Sequence, residues 1–261
     1  MSPIFRGHFG NALGGILMKM LAIDKINDLY DRNSRSEGPE FANSVLQDLG
    51  IDYEIIGKEK LSALNDGAFI VISNHPYGSL DGIILVDIFG HIRKDFKVMV
   101  NSFLSRISTL DDSFICVTPT GTERTAPTAD SIKGIKTAIE HIRKGHPLGI
   151  FPSGAVSDLC IRDQSIRDRE WQEPVIRLIK KMRVPIVPVH FLDRNSNFYY
   201  LLGLIDWRVR LMRLPSEIFN KSGRQTRVFI GDTISVSTQD NIKDINMFRD
   251  FLRSQVYGCD Q

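Results

Sequence analysis

The sequence predicts an α/β protein: a single domain with a mixed, mostly parallel β-sheet flanked by helices, and an N-terminal helical region. Two patterns support this prediction. Short apolar runs typical of buried strands recur along the chain, and segments with helical periodicity lie between them. Strands separated by helices of this length form sheets that are covered on both faces. The strand candidates are residues 68–73, 96–100, 114–117, 148–151, 185–190 and 227–230.

Two helical patterns are clear between these strands. The apolar face of the first is formed by Ile132, Ile135, Ile139 and Ile142. Gly145 follows at a position that commonly closes a helix. The apolar face of the second is formed by Trp171, Val175, Ile179 and Met182. We find no repeat or linker, so we predict an N-terminal helical region, residues 1–50, packed on an α/β domain, residues 51–261, as one structural unit.

The composition is that of a globular protein, and it argues against several classes. At 261 residues the chain can bury a full core, and 42% of its residues are apolar. The net charge of +2 is too small to indicate a nucleic-acid partner. Cys116, Cys160 and Cys259 are scattered and form no C-x-x-C pair, which favours a reducing, cytoplasmic compartment.

The sequence predicts no transmembrane span, because no run of about 18 uninterrupted apolar residues occurs. The apolar stretch at residues 12–18 is interrupted by Lys19 and shows no signal-peptide cleavage pattern. Two interpretations stay open for this stretch. It forms an amphipathic helix packed on the domain, or a helix that lies in a membrane interface.

Residues 73–82 form the most informative stretch of the chain. They read Ser-Asn-His-Pro-Tyr-Gly-Ser-Leu-Asp-Gly and directly follow an apolar run. We therefore expect His75 at the end of a buried strand and Asp81 at the start of the next helix. A carboxylate can hold an imidazole in one tautomer and stabilise its protonated form, as a general base requires. Gly78 and Gly82 allow a sharp turn and leave room for a substrate.

Simpler interpretations of this stretch stay open at this point. His75 alone is typical of a hydrogen-bonded loop residue, and Asp81 alone is typical of a helix N-cap. The two side chains also suit two ligands of a metal site. However, no further cluster of His, Cys or carboxylate residues at familiar spacing completes a ligand set, so we predict no metal.

Two more loops at predicted strand ends carry small and polar residues. The first, residues 118–125, contains Arg124, and the second, residues 151–158, reads Phe-Pro-Ser-Gly-Ala-Val-Ser-Asp. Ligand sites of open α/β sheets cluster at such strand ends. Small residues there can turn backbone N–H groups toward an anionic head group. An ordinary turn is the alternative interpretation of the second loop.

Together these segments resemble the glycerolipid or lysophospholipid (PlsC-like) acyltransferase superfamily. That family is marked by Asn-His followed by a spaced Asp, then Phe-Pro-Glu-Gly-Thr-Arg-Ser, then a Val-Pro-Ile-x-Pro-Val strand. The matching segments here are Asn74-His75 with Asp81, then residues 151–157, then residues 184–189, in the same order. The resemblance covers about residues 65–235.

Two departures from the family pattern resemble its branch labelled putative hemolysin. Five residues rather than four separate His75 from Asp81, and Ser153 and Val156 replace the usual Glu and Arg of the second segment. The branch has the pattern Asn-His-Pro-x-Gly-x-x-Asp-Gly and includes proteins linked to acylation in bacterial glycine and ornithine lipids. Without that Arg, a phosphate needs backbone groups or another cation, such as Arg124 or Arg169.

The resemblance implies an enzyme that moves a fatty acyl group from acyl-CoA or acyl carrier protein to a membrane lipid acceptor with a lysophospholipid or glycerolipid hydroxyl. It implies His75 as the general base and Asp81 as its support, with no cofactor besides the acyl donor. Backbone donors around Gly78 or at Ser153 and Gly154 are candidates for the oxyanion. The expected substrate-binding residues are Asn74, Gly78, Ser79, Arg124, Ser153, Gly154 and Ser157.

Other functions stay open beside this one. The altered second segment favours an N-acyltransferase that makes glycine- or ornithine-type lipids, and a non-catalytic lipid- or carrier-protein-binding module is a further alternative. A serine nucleophile is not supported, because neither Ser79 nor Ser153 lies in Gly-x-Ser-x-Gly.

A membrane surface is an expected partner, because acceptors of this type reside in bilayers. Residues 201–230 carry six basic residues against two acidic ones, with Trp207 and other apolar residues between them. Such a face suits an anionic surface, here the inner face of the cytoplasmic membrane. The alternative is a helix whose apolar side packs on the core. The six basic residues are Arg208, Arg210, Arg213, Lys221, Arg224 and Arg227.

Overall fold

The predicted α/β class is confirmed by the computed structural model, which describes residues 22–118 and 129–258. Within these residues the backbone forms a seven-stranded sheet and a separate two-stranded sheet. The strands are β1 Asp52–Ile56, β2 Ile70–Ser73, β3 Lys97–Asn101, β4 Phe114–Val117, β5 Leu148–Ile150, β6 Asp158–Cys160, β7 Ser165–Arg167, β8 Ile186–Phe191 and β9 Gln225–Ile230.

Helices precede the first strand and connect most of the later ones. Short 3₁₀ helices at Lys58–Ala63, Ser102–Arg106 and Ser108–Ser113 complete the connections. The α-helices are α1 Ile23–Asn33, α2 Gly38–Asp48, α3 Ser79–Ile92, α4 Ala129–Arg143, α5 Glu173–Met182, α6 Asn197–Ile205, α7 Trp207–Phe219, α8 Val236–Asn241 and α9 Ile245–Tyr257.

The large sheet has the strand order β1-β9-β8-β2-β5-β3-β4. Strands β8, β2, β5, β3 and β4 run parallel, whereas β9 is antiparallel to β8 and parallel to β1. The neighbouring strands β8, β2 and β5 therefore end at one edge of the sheet. The loops that follow them begin at Asn74, Phe151 and Leu192, and ligand sites of open α/β sheets lie at such an edge.

Two hydrophobic cores cover the two faces of this sheet. Successive residues of β2 point to opposite faces, so that Val71 joins one core and Ile70 and Ile72 join the other. The first core includes Phe89 of α3, and the second includes Phe248 of α9. A strand buried on both faces explains the continuous apolar run in the sequence.

The buried face of helix α4 is rotated from the one predicted. Of the predicted isoleucines, Ile142 is buried, Ile135 and Ile139 are half-buried, and Ile132 is exposed, whereas Ala138 is fully buried. Gly134 faces β4 so closely that an added Cβ would clash with the carbonyl oxygen of Cys116. Small residues, rather than the predicted row of isoleucines, therefore set the closest approach of this helix to the sheet.

Two predictions fall outside the described residues. The apolar stretch at residues 12–18 lies in residues 1–21, and Arg124 lies in residues 119–128. Their predicted roles stay predictions. The N-terminal helices α1 and α2 are described, and α2 contributes Phe41 and Val45 to the core that it shares with α3.

Candidate active site

The structure brings His75 and Asp81 together at the carboxyl edge of the sheet. Strand β2 ends at Ser73, and α3 begins at Ser79, so that a five-residue loop carries the imidazole. The ring atom Nδ1 lies 2.7 Å from Oδ2 of Asp81. At this distance the Asp81 carboxylate is close enough to orient the imidazole and to stabilise its protonated form.

Asp81 is fully buried in the first turn of α3. Its Oδ2 accepts hydrogen bonds from the backbone N–H groups of Tyr77, at 3.0 Å, and Gly78, at 2.9 Å. Burial raises the pKa of the Asp81 carboxyl, because it penalises the charged form, and the contacts with His75, Gly78 and Tyr77 oppose that rise. The carboxylate thus orders the loop and the imidazole at the same time.

The His75 ring and its backbone are held by further contacts. Phe151 stacks on the ring with centroids 4.1 Å apart. The backbone N–H of His75 donates to Oδ1 of Asp168 at 3.1 Å, and its carbonyl accepts from the N–H of Ser157 at 2.9 Å. Only 17% of the side chain stays exposed. Because Nδ1 contacts Asp81, the general base predicted from the sequence would act through the other ring nitrogen, Nε2.

Asp168 is a site residue that the sequence reasoning missed. Its buried carboxylate accepts from the His75 N–H, from the Ser157 hydroxyl at 2.6 Å and from Trp171 Nε1 at 3.1 Å. These bonds join the loop after β2 to the loop after β5. No sequence signal marked Asp168, because 93 residues separate it from His75.

The predicted residue Asn74 connects two strand ends. Its side-chain carbonyl accepts from the N–H of Phe191 at 2.8 Å, and its amide donates to the Phe191 carbonyl at 3.0 Å. This pairing extends the contact between β2 and β8 past the end of β2 and fixes the start of the loop that carries His75. Whether Asn74 also binds substrate stays a prediction.

The loop after β5 lies beside the imidazole. The substrate-binding residues predicted there form hydrogen bonds within the protein. The hydroxyl of Ser153 donates to the carbonyl of Ala155 at 2.7 Å, and Ser157 binds Asp168 and His75. Gly154 has φ +62°, a conformation that favours glycine, and its N–H donates to the carbonyl of Phe151 at 3.0 Å.

The loop before α3 contains the other predicted small residues. Gly78 has φ +87°, and its N–H is used by Asp81, while Ser79 is half-buried at the start of the helix. The amide groups of Gly78 and Gly154, predicted as oxyanion donors, are therefore both engaged within the protein in this structure.

Two basic residues near the site are paired with Asp158. Arg169, predicted as an alternative phosphate ligand, donates from Nε to this carboxylate. Arg210 is buried, forms an ion pair with Asp158 and donates from Nη1 to the carbonyl of Ser157 at 3.1 Å.

The prediction of a basic face over residues 201–230 needs correction for two of its members, which are buried. Arg210 is buried as described, and Lys221 is also buried, with its ammonium 3.1 Å from Oδ1 of Asn195. Arg227 stays exposed and pairs with Asp193 at 3.1 Å, and the half-buried Arg213 has its Nε 3.9 Å from Oε1 of Glu217. A count of charges in the sequence cannot separate the two buried cations from solvent-facing ones.

The described residues, 22–118 and 129–258, contain neither a metal-binding cluster nor a candidate membrane span. No group of three or more His, Cys, Asp or Glu residues there is arranged to hold a metal ion. No helix in those ranges combines the length and apolar character that a bilayer span needs.

Comparison with known proteins places this chain in a family. The chain matches the family described as Acyltransferase over residues 6–260. It is 27% identical over 250 residues to a lyso-glycine lipid O-acyltransferase of Bacteroides thetaiotaomicron, across 92% of this chain and 87% of that protein. It is 26% identical over 243 residues to a protein of the same name from Phocaeicola vulgatus, across 90% and 82% of the two chains.

A solved structure shares the fold. The crystal structure of the 1-acyl-sn-glycerophosphate (LPA) acyltransferase PlsC from Thermotoga maritima superposes with a TM-score of 0.51, and the match covers 93% of each chain at 14% identity. At that identity the likeness concerns the fold alone. The family match spans almost the whole sequence, and it confirms the resemblance drawn from the three segments. The chain belongs to the acyltransferase family, whose members are enzymes that transfer acyl groups.

Proposed function

We propose that this enzyme moves a fatty acyl group from an acyl thioester, either acyl-CoA or acyl carrier protein, to the free hydroxyl of a lysolipid of the glycine-lipid class. The contact between His75 Nδ1 and Asp81 Oδ2 at 2.7 Å is the observation that carries the proposal. The two relatives named lyso-glycine lipid O-acyltransferases support the choice of acceptor.

In the proposed reaction His75 acts as the general base. Its Nε2 removes the proton of the acceptor hydroxyl while the hydroxyl oxygen attacks the thioester carbonyl. Asp81 holds the Nδ1–H tautomer and stabilises the imidazolium that forms. The new C–O bond forms, the C–S bond breaks, and the proton passes from the imidazolium to the departing thiolate. A thioester is already activated, so the reaction needs neither an acyl-enzyme nor a further cofactor.

We propose that the enzyme works at the inner face of the cytoplasmic membrane, where its acceptor resides. Arg208 and Arg224 are exposed, and they support attraction to an anionic surface. This attraction is smaller than the sequence count suggested, because Arg210 and Lys221 are buried and Arg213 and Arg227 are paired with carboxylates.

An acceptor panel tests the proposal. The purified chain is mixed with an acyl thioester and, separately, with a lyso-glycine lipid, a lysophospholipid and a glycine-type lipid amine. Thiol release and product mass are then measured. We expect thiol release matched by an ester product on the lyso-glycine lipid. An amide product would establish the N-acyltransferase alternative, and thioester binding without thiol release would establish the binding-module alternative; either would refute the proposal.

A further inference from the structure

The helical hairpin formed by α6 and α7 exposes an unusual amount of apolar surface. Of the thirteen large hydrophobic side chains that are exposed in the described residues, eight lie between residues 198 and 212. Ile205 is 79% exposed and Trp207 is 53% exposed, at the turn between the two helices. Contiguous exposed apolar patches of this kind mark interaction surfaces.

The apolar surface is not left over from incomplete packing, because both helices already bury their opposite sides. Helix α6 buries Tyr199 and Tyr200 in a small core with Val156. Helix α7 buries Arg210, which pairs with Asp158. The apolar residues that face solvent therefore form a second, outward side on each helix.

This hairpin lies directly beside the catalytic loop. Leu214 of α7 packs on Gly78 so closely that an added Cβ would lie 2.8 Å from its Cδ2. Arg210 donates to the carbonyl of Ser157, and the N–H of Ser157 donates to the carbonyl of His75. Through these contacts, any binding partner that docks on the hairpin lies next to the His75 imidazole.

The charge pattern of the hairpin fits a lipid surface. Asp206 is the only acidic residue between residues 197 and 214, and its carboxylate caps α7 by accepting from the N–H of Arg208 at 2.6 Å. The guanidinium of Arg208 lies 5.4 Å from the ring centroid of Trp207. Tryptophan and arginine beside an aliphatic surface are typical of the boundary between lipid head groups and acyl chains.

We propose that the outward side of α6 and α7 inserts into the head-group boundary of a lipid bilayer and holds the His75 loop at the membrane surface. The biological purpose of this insertion rests on the proposed lipid acceptor. Insertion adds to the attraction of the exposed cations, so binding should persist on vesicles that carry no anionic lipid.

Vesicle flotation with a matched pair of variants tests the insertion. The chain, Ile205→Glu and Met247→Glu are each mixed with phosphatidylcholine vesicles, with and without anionic lipid, in the absence of acyl donor and acceptor. Met247 is 66% exposed on α9, so both variants place one new carboxylate at an exposed apolar position. We expect Ile205→Glu to weaken binding about tenfold or more on both vesicles, and Met247→Glu to leave it unchanged.

Tryptophan fluorescence gives a second readout, because Trp171 is fully buried and Trp207 is exposed. Lipids with brominated chains should quench the emission of the wild-type chain, and Trp207→Phe should remove the quenched component. Equal flotation of both Glu variants, or unquenched Trp207, would overturn the insertion. So would a stable dimer that already shields Trp207 without lipid.

The test separates insertion from the proposed reaction. Ile205→Glu should acylate a detergent-dispersed acceptor at the wild-type rate and yet float less well with vesicles. This combination supports insertion as a property distinct from catalysis. If the variants float as expected but the wild type transfers no acyl group to any hydroxyl acceptor, the proposed function is refuted and the insertion is still supported.

Discussion

At the scale of single residues, His75 is held by groups from three separate parts of the chain. Asp81 contacts the ring nitrogen, Phe151 stacks on the ring, and Asp168 accepts the backbone N–H. A side chain held in this way loses little further freedom when substrate binds, which is how enzymes keep a base in reacting position.

Replacing the supporting carboxylate tests its share in the reaction. We expect Asp81→Asn to lower the rate of acyl transfer by roughly 10²- to 10⁴-fold, because the imidazolium loses its charged partner and the ring loses its tautomer preference. Steady-state thiol release by the purified variant measures this, with circular dichroism as the control for folding. A variant within a few-fold of the wild-type rate would contradict the role of Asp81.

The same variant should change the pH dependence of stability. Burial raises the pKa of Asp81 in the folded state. The contribution of this group to folding is therefore fully present below its unfolded pKa and is lost as the pH rises through the folded pKa. Asparagine does not titrate. As the pH rises from acidic to neutral, the free energy of unfolding of the wild type should therefore fall relative to that of Asp81→Asn. Urea unfolding at both pH values measures it; a shift toward the wild type would show that burial does not dominate.

The three hydrogen bonds to Asp168 predict that losing one donor destabilises the protein less than replacing the shared acceptor. Ser157→Ala removes one of three donors, and we expect a loss of about 1 kcal/mol. Asp168→Asn turns an N–H group toward buried donors, and we expect a loss nearer 3 kcal/mol with a larger fall in turnover. Denaturant midpoints and turnover of the two variants give the comparison, and the reverse order would contradict this role.

The sequence made the His75 and Asp81 pair predictable because one loop and one helical turn contain both residues. Asp168 and the pairing of Arg210 with Asp158 were not predictable, because each joins segments that only the folded sheet brings together. The engagement of the Gly78 and Gly154 amides also depends on loop conformation, which residue types alone do not determine.

At the scale of elements, the turn before α3 and the helix α7 depend on each other. Gly78 has φ +87°, and its N–H donates to the Asp81 carboxylate. Leu214 occupies the space that a side chain at position 78 would need. The turn, the Asp81 carboxylate and the α6–α7 hairpin thus meet at a single glycine.

A substitution at this glycine should strain the turn. We expect Gly78→Ala to destabilise the protein by roughly 1–3 kcal/mol, because alanine is disfavoured at this φ and its methyl group contacts Leu214. Combining it with Leu214→Ala relieves the contact but not the backbone strain, so the double variant should show less than additive destabilisation. Urea unfolding of the two single variants and the double variant measures the coupling; full additivity would mean that the two residues do not interact.

Elements with strong patterns were predicted well, and marginal ones were not. The buried strands β2, β5 and β8 were predicted within about two residues, because they lie in the centre of the sheet and are continuously apolar. Strand β1 was missed because it alternates between exposed and half-buried positions. The hairpin of β6 and β7 was missed because its strands have three residues each and bury little.

At the scale of the whole molecule, the C-terminal helix α9 is connected through Asp168 to the loop that carries His75. The Asp168 N–H donates to the hydroxyl of Tyr257 at 3.0 Å, and Arg253 donates to the Asp168 carbonyl at 2.8 Å. Asp168 in turn holds His75. The order of the active site therefore depends on docking of the last described helix.

Removing one hydroxyl tests this dependence. Tyr257→Phe leaves the Asp168 N–H without its partner, and we expect a loss of about 1–3 kcal/mol together with a few-fold fall in turnover. Ser254→Ala is a control on the same helix, because its hydroxyl bonds only to the carbonyl of Phe251 one turn away. Equal stability and activity of the two variants would show that α9 does not support the site.

The most direct measurement concerns His75 itself. Purified wild-type chain and His75→Ala are each given an acyl thioester and a lyso-glycine lipid, and released thiol and acylated lipid are counted in the same sample. We expect the wild type to form one ester for each thiol released, and His75→Ala to retain its fold while losing roughly 10²-fold or more of this rate. A folded His75→Ala variant that forms the ester at a rate close to that of the wild type would contradict the account.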